Sequence, residues 1–322
     1  MTSQELKIRK FEGSDYPDIV RLSNTVFPER KRTEEFFRHY DKNKAEKCEH
    51  QRYIVEIEEK VIGCGHYTQL EWNYAPGKYF IYGCIDPDFQ GQGYGSEFYR
   101  YLMDELEEKD PKKLVVHTRE DKKKSIRFLE DRGFKETQRE CELVLDVNDF
   151  DFDFEDFSGL EEKMDVDHGI KLRSLEEIRF DEENKRKLHE LYNDVYKDVP
   201  ISGEYTGKDF DRFVKSLESP KLFPEAYLVA VKDDKFIGLS SKWEMDGENT
   251  LFTQLTGVRE KYRGKGIATA MKVKAIEIAS EKGIQKMKTS TETGNEAMLH
   301  IAQKLGYEKK LARISYEKRL KR

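Results

Sequence analysis

Two spacings of hydrophobic residues alternate along this chain, and they follow each other in the same order in each half. Short runs that alternate or are continuously apolar, such as residues 53–57 and 79–85, predict β-strands. Longer stretches with apolar residues four positions apart, such as Phe98, Leu102 and Leu106, predict amphipathic helices. The order strand, two helices, three strands, helix, strand, helix, strand is predicted twice, which indicates an α/β fold in two tandem copies.

Polar residues and glycines mark the predicted ends of several helices. Ser14 or Asp15 precedes the first helix, and Thr33 precedes the second; all three are residue types that accept hydrogen bonds from the first free N–H groups of a helix. Gly133 follows the helix of residues 125–132, where a glycine takes up the left-handed conformation that ends a helix.

A glycine-rich turn follows a predicted strand and opens a predicted helix in both halves. Residues 90–95 read Gln-Gly-Gln-Gly-Tyr-Gly, and residues 263–268 read Arg-Gly-Lys-Gly-Ile-Ala. Such a turn presents backbone N–H groups and the positive end of the helix dipole, which together bind phosphate or pyrophosphate. Neither copy has the Lys-Ser or Lys-Thr pair of an ATPase P-loop, and the glycine spacing differs from that of a dinucleotide site.

The repeat extends well beyond the two turns. A single register places Ile85 on Val258 and runs without a gap until Phe134 falls on Tyr307. A repeat of this length is typical of a duplicated domain and not of a solenoid built from short units.

We therefore predict an N-terminal domain at residues 1–145 and a C-terminal domain at residues 170–322. The connecting residues 146–169 are acidic and rich in phenylalanine. Acids alternate with Phe150, Phe152 and Phe154, which predicts a strand-like arm with one buried face.

Composition excludes several classes of protein. The net charge of -6 leaves no global basic field for nucleic acid or an anionic membrane. No signal-peptide core or transmembrane-length apolar run is found. The four cysteines lie in the first half without metal-ligand spacing, so we expect no metal, no disulfide framework and a reducing, cytoplasmic environment.

Both turns fit Gln/Arg-x-x-Gly-x-Gly/Ala, which resembles the pantetheine-pyrophosphate loop of the GNAT superfamily of acyl-CoA-dependent N-acetyltransferases. The resemblance implies two tandem GNAT folds, each with a mixed sheet, and acetyl-CoA as the acyl donor. It implies that acetyl-CoA is bound by Ile85, Gln90, Gly91, Gln92, Gly93, Tyr94, Gly95 and Ser96 in the first copy, and by Val258, Arg263, Gly264, Lys265, Gly266, Ile267, Ala268, Thr269 and Asn295 in the second.

The resemblance also implies that pantetheine lies between two parted strands, next to a β-bulge, and we expect that bulge at Gly257 because glycine inside a strand often marks one. In the family a tyrosine four residues before the Gly-Phe/Tyr end often acts as the acid. Leu129 and Ala302 occupy that position here. Cys84, which matches Gly257, is expected to be a small buried core residue and not a nucleophile.

An amine acceptor with a pKa near 10.4 must lose a proton before it attacks a thioester, which costs roughly 4–5 kcal/mol at pH 7. We name Glu244, at the end of the predicted strand of residues 236–245, as the candidate base. Asn295, which is a helix N-cap candidate as well, is Lys122 in the first copy. For this reason we expect the second domain to be the catalytic one.

The second half is more narrowly similar to tandem GNAT proteins of the mycothiol synthase kind, through Thr256-Gly-Val, the second turn, and residues 291–299 and 305–307. The expected function is acetyl transfer to a primary amine of a small molecule or protein, by a monomer or homodimer that binds neither nucleic acid nor membrane. The alternative is a non-catalytic sensor, or pseudo-enzyme, that binds acyl-CoA.

Overall fold

The computed structural model describes residues 6–28, 31–151, 157, 159–201, 205–245 and 248–320. These residues form two compact units. The first unit contains the described residues up to Thr118, the segment Lys122–Thr137 and the residues from Ser315 onward. The second contains Arg119–Asp121 and Gln138–Ile314. Each unit therefore includes a segment that lies in the other half of the sequence.

The first half of the chain has the predicted order of elements. Its helices and strands are β1 Leu6–Lys10, α1 Tyr16–Val26, α2 Glu34–Lys42, β2 His50–Ile57, β3 Lys60–Thr68, β4 Lys78–Ile85, α3 Tyr94–Glu107, β5 Lys113–Arg119, α4 Lys123–Glu130 and β6 Lys135–Asp146. The Thr33 side chain accepts a hydrogen bond from the Phe36 amide, as expected of the cap of α2. Asp15 occupies the N-cap position of α1.

The second half repeats this order after one additional helix. Its elements are α5 Leu160–His168, β7 Lys171–Ser174, α6 Glu182–Tyr196, α7 Phe210–Leu217, β8 Leu228–Lys232, β9 Lys235–Glu244, β10 Thr250–Val258, α8 Ile267–Glu281, β11 Lys286–Glu292, α9 Glu296–Lys304 and β12 Glu308–Arg319. The register that places Ile85 on Val258 also places β5 on β11 and β6 on β12, end to end. The duplication predicted from the sequence is therefore present in the fold.

Each unit contains a mixed sheet. In the first unit the strand order is β1-β2-β3-β4-β5, continued by the part of β12 that belongs to this unit. In the second unit the order is β7-β8-β9-β10-β11-β6. In each, the strand before the glycine turn pairs in parallel with the next strand along the chain, and the other pairs with a known register are antiparallel. The mixed α/β fold class is confirmed.

Helices cover both faces of the second sheet. Apolar residues of α6 and α7, among them Leu191 and Phe213, form one core with β8 and β9. Residues of α8 and α9, among them Met271 and Ala302, form the other core with β10, β11 and β6. In the first unit, Ile19 and Leu22 of α1 pack on β3 and β4, and α3 buries its predicted stripe. Apolar burial of these stripes stabilises the elements that carry the glycine turns.

The prediction of a strand-like arm is wrong for residues 160–168, which form α5. Gly159 and Gly169 take left-handed conformations at its two ends, and Glu161 and Glu162 lie in its first turn, where negative charge favours a helix. Phe152 and Phe154 lie outside the described residues. Phe150 and Phe157 are buried in the core of the second unit, with their rings stacked 5.7 Å apart.

Candidate functional site

Both glycine turns have the conformation that only glycine adopts without strain. Gly264 and Gly266 have φ of 74° and 76°, and the equivalent Gly91 and Gly93 have φ of 83° and 96°. Gly266 is the N-cap of α8 and Gly93 is the N-cap of α3. The turns therefore deliver the first backbone N–H groups of each helix without a side chain over them.

The first residue of each turn ties the turn to the preceding strand. The Gln90 amide donates to the Ile85 carbonyl at 2.9 Å, and the Arg263 guanidinium donates to the Val258 carbonyl, also at 2.9 Å. The Arg263 guanidinium also forms an ion pair with Asp198. This shared bond explains why a glutamine or an arginine begins both copies of the motif.

The electrostatic surroundings of the two helix starts differ. The first turn of α8 contains no acidic residue, whereas the first turn of α3 contains Glu97. Lys265 is half-buried within the second turn, where the first copy has neutral, exposed Gln92. Because the free amides of a helix start attract anions, this difference in charge favours an anion at the second turn over the first.

The strand before the second turn parts from its parallel neighbour. The pairing of β10 with β11 runs from Thr250 opposite Lys286 to Thr253 opposite Thr289 and covers the first part of β10 alone. Thr253 Oγ1, at the point of separation, is buried and has no hydrogen-bond partner among the residues that the structure describes. A buried hydroxyl without a partner is costly, so Thr253 Oγ1 has unused capacity for a hydrogen bond at this point of the strand.

A β-bulge lies at the same point. The antiparallel register of β10 with β9 shifts between Thr253 and Thr256. The expected position of the bulge at Gly257 is wrong, because Gly257 pairs regularly with Leu239. A Cβ atom at Gly257 would lie 2.7 Å from Cβ of Val195, so glycine is needed there for the close approach of α6.

The first copy has the opening without the bulge. The pairing of β4 with β5 ends at Phe80 opposite Val115. The register of β4 with β3 continues without a shift through Tyr82 and Cys84. Cys84 is buried, as expected, and its Sγ lies 3.6 Å from Sγ of Cys64, farther than a disulfide bond of about 2.05 Å.

A buried lysine lies beside the bulge, and the sequence reasoning missed it. Lys242 Nζ donates to the Ser240 hydroxyl at 2.7 Å, and Ser240 Oγ lies 2.9 Å from Thr256 Oγ1. Burial holds the pKa of Lys242 well below its ordinary value, with a further contribution from buried Lys272. The only signal in the sequence is the polar run Ser240-Ser241-Lys242 inside an otherwise apolar strand.

The candidate base Glu244 lies away from the second glycine turn and the bulge, and the predicted ligand-binding residue Asn295 caps a helix. Glu244 is exposed at the far end of β9, opposite Leu251, so the structure does not bring it to the turn or to the bulge. Asn295 caps α9, where its side chain accepts a hydrogen bond from the Met298 amide at 3.2 Å. Leu129 and Ala302, at the position of the family's tyrosine, are both buried.

Comparison with known proteins identifies the family. The sequence model of the acetyltransferase (GNAT) family matches residues 16–134 and again residues 186–307. The chain belongs to the GNAT acetyltransferase family. Its two GNAT repeats coincide with the duplication found in the sequence and the fold. A curated relative, N-alpha-acetyltransferase 30 of Schizosaccharomyces pombe, is 31% identical over 123 residues, which are 34% of this chain and 81% of the relative.

Solved structures share the tandem GNAT fold. A GCN5-related N-acetyltransferase from Sphaerobacter thermophilus has a TM-score of 0.71 at 17% identity and aligns over 98% of this chain and 95% of its own. A tandem GNAT protein from the clavulanic acid biosynthesis pathway has a TM-score of 0.74 at 13% identity and aligns over 98% of each chain. Family membership supports acetyl transfer and not the alternative of a non-catalytic sensor.

Neither a metal site nor a membrane-spanning helix is found among the described residues. These residues contain no group of three or more His, Cys, Asp or Glu side chains arranged to hold a metal ion. None of the helices that the structure describes has the length and apolar character needed to cross a bilayer.

Proposed function

We propose that this GNAT protein uses acetyl-CoA to acetylate a primary amine of a small molecule or protein, and that its second repeat carries the reaction. The observation that carries the proposal is the bulged opening of β10, with the unpartnered hydroxyl of Thr253 at its apex. The pyrophosphate would bind the first amides of α8, beside Lys265. The pantetheine would pair with the free edge of β10 at residues 254–258, as an added strand does.

The reaction joins the amine nitrogen to the acetyl carbon and breaks the carbon–sulfur bond. The ammonium form of the acceptor first gives up one proton, and the tetrahedral adduct loses a second, which neutralises the departing thiolate. Glu244 is the base predicted from the sequence. Lys242 is a second candidate, because Ser240 and Thr256 connect its amine to the bulged strand. Comparing the pH–rate profiles of Glu244→Gln and Lys242→Met shows which of the two residues acts as the base.

The assignment of the reaction to the second repeat is tested by a substitution in each glycine turn of the full-length protein. Gly266→Asp puts a carboxylate where the pyrophosphate would lie, so we expect acetyl-CoA turnover to fall by at least 100-fold with an unchanged circular dichroism spectrum. Gly93→Asp is the matched control, because it makes the same change at the N-cap of α3. Full turnover in Gly266→Asp together with loss in Gly93→Asp would move the reaction to the first repeat.

We also propose a cytoplasmic location and a monomeric or homodimeric state. The support for the location is that none of the four cysteines forms a disulfide bond in the described structure, and three of them are buried. Localisation of a tagged full-length chain and its sedimentation velocity test these two points.

A further inference from the structure

The C-terminal end of α6 brings negative charge to the second glycine turn. Asp198, which follows the C-cap residue Lys197, forms an ion pair with the guanidinium of Arg263, the first residue of that turn. The C-terminal end of a helix carries a partial negative charge of its own. A carboxylate and a helix end of the same sign therefore meet the turn at which a pyrophosphate would bind, and they meet it at one of its two cationic side chains.

The ion pair between Asp198 and Arg263 is of a kind that a ligand can exchange. The two side chains are 57% and 46% exposed, and an exposed ion pair is weak because water screens it. Among the residues that the structure describes, the Asp198 side chain has no other ion-pair or hydrogen-bond partner. Arg263 has a second bond, from Nε to the Val258 carbonyl at 2.9 Å, which holds it at the turn. Its guanidinium can therefore exchange the carboxylate for a phosphate oxygen without leaving the turn.

The neighbouring arginine on the same segment is held differently. Arg259 forms an ion pair with Asp194 of α6, a second one with Glu190 at 3.2 Å, and a hydrogen bond from Nε to the Phe236 carbonyl at 3.1 Å. Its side chain is 24% exposed, about half the exposure of Arg263. Three acceptors fix the Arg259 guanidinium in the fold, so it has less capacity for a ligand than the singly paired Arg263.

The first repeat contains the counterpart of the Arg259 pair with its charges exchanged. The register that aligns the two glycine turns places Asp86 on Arg259, and the same displacement places Arg21 of α1 on Asp194 of α6. Arg21 pairs with Asp86 at 3.0 Å, as Asp194 pairs with Arg259. A pair that occurs in both repeats with either polarity serves the common fold, because a link between a helix and the end of a strand does not depend on which side carries the positive charge.

The Asp198 pair, by contrast, is particular to the second repeat. The register places Thr25 on Asp198 and Gln90 on Arg263, and both residues of the first repeat are uncharged. The Thr25 hydroxyl donates to the Arg21 carbonyl of its own helix at 2.9 Å. Two neutral residues leave no ion pair to exchange at the first turn. The Asp198 pair therefore relates to what the second turn binds and not to the fold that the two repeats share.

We propose that Asp198 competes with the pyrophosphate of CoA for the Arg263 guanidinium, and that it thereby weakens CoA binding and hastens CoA release at the second repeat. The inference rests on the proposed function, because it requires the pyrophosphate at the second turn. When CoA binds, Arg263 exchanges the carboxylate for a phosphate oxygen, and when CoA leaves, Asp198 takes its place. Because product release sets the turnover rate of many enzymes, a competing carboxylate favours turnover over tight binding.

The test measures CoA binding to the full-length Gly93→Asp protein, in which only the second turn is intact. Asp198→Asn removes the charge and keeps the size of the side chain. We expect its Kd for CoA in calorimetry to fall by about two- to five-fold, the range that corresponds to one exposed ion pair. The rate of CoA dissociation in stopped flow should fall by a similar factor, because changes within one interface act mostly on dissociation. Asp198→Glu keeps the charge and should keep the parental Kd.

Three comparisons separate competition at Arg263 from a structural or general charge effect. Asp194→Asn is the matched control, because it makes the same change on the same helix while Arg259 keeps its other two acceptors, and it should leave the Kd unchanged. In an Arg263→Gln background, Asp198→Asn should no longer tighten binding. Dephospho-CoA, which has the pyrophosphate and lacks the 3′-phosphate, should show the same gain as CoA. Tighter binding is also not what a damaged fold produces.

The outcomes distinguish this inference from the proposed function. If the Gly93→Asp parent binds no CoA, the role of the second turn and the competition at Arg263 are both refuted. If the parent binds CoA but Asp198→Asn binds it no more tightly, or Asp194→Asn gains as much, or the gain persists with Arg263→Gln, the competition is refuted and the proposed function stands. A gain with CoA and none with dephospho-CoA would place Arg263 at the 3′-phosphate and would likewise refute competition for the pyrophosphate.

Discussion

Lys242 and Ser240 share a 2.7 Å hydrogen bond in the core of the second unit, where neither residue has more than a trace of exposed surface. Burying a charge at such a position costs free energy, which lowers the pKa of the Lys242 amine. Lys272, on the facing helix α8, is under the same constraint, and its Nζ lies 5.7 Å from the centre of the Tyr307 ring. These two lysines make the stability of the second unit depend on pH.

Lys272→Met should raise stability at neutral pH. Burial lowers the pKa of Lys272 from 10.5 to about 8, so between these values the unfolded chain binds more protons and the free energy of unfolding rises with pH. Below about pH 8 the folded protein bears the full free-energy cost of burying charged Lys272, roughly 3 kcal/mol at 1.36 kcal/mol per pKa unit. Urea denaturation at pH 7, 8.5 and 10 should show a gap between variant and parent that closes by pH 10.5. Lys309→Met, at an exposed position, is the control, and a gap independent of pH would contradict the assignment.

Arg263→Gln should preserve the second turn, because Gln90 makes the equivalent bond in the first copy. Arg263→Ala removes the bond to the Val258 carbonyl, leaves the turn untethered and should raise KM for acetyl-CoA by ten-fold or more. The glutamine variant loses only the charge and the exposed Asp198 pair, so its KM should rise less than five-fold. An equal rise in KM for the two variants would show that acetyl-CoA binding depends on the charge of Arg263 and not on its hydrogen bond to the Val258 carbonyl.

Gly257→Ala should destabilise the second unit by about 1–3 kcal/mol, because its Cβ would lie 2.7 Å from Cβ of Val195. Val195→Ala in the same chain should restore part of the loss by making room. Gly13→Ala, where the added Cβ meets nothing within 4 Å, provides the control in thermal unfolding. No change in Gly257→Ala would mean that α6 and β10 lie farther apart than described.

Thr253→Val should separate ligand binding from stability. The Thr253 hydroxyl has no partner in the described structure, so its replacement by a methyl group should leave the free energy of unfolding unchanged or slightly higher. If pantetheine uses that hydroxyl, calorimetry should show acetyl-CoA affinity reduced by about 0.5–1.5 kcal/mol, the value of an ordinary hydrogen bond. Thr289→Val, across the strand pair, is the comparison. Undiminished affinity for acetyl-CoA in Thr253→Val would place the ligand elsewhere.

Most of the features that the sequence predicts correctly depend on residues that are close together in the chain. The strands and helices follow from the spacing of apolar residues, and Thr33 caps α2 through an atom three residues away. The turns at Gly93 and Gly266 follow from a local need for positive φ. Even the duplication is visible locally, because each repeat keeps its own order of elements.

The features that the sequence predicts wrongly depend on contacts with residues that are distant in the chain. The position of Gly257 inside a strand predicts a bulge there, but the close approach of Val195 on a separate helix is what requires glycine. The alternation of acids with Phe150, Phe152 and Phe154 predicts a strand-like arm, whereas the residues that follow it form α5, which packs on α8.

The sequence by itself determined the family, the two repeats and the conformation of the two glycine turns, since each depends on contiguous residues whose backbone conformation is set locally. Only the tertiary structure decided which titratable groups are buried together. His50, His66 and Tyr82 come from three different strands, and nothing in their spacing indicates that their rings lie in contact. The pKa of each depends on desolvation and on charges from other elements, and these exist only once the chain is folded.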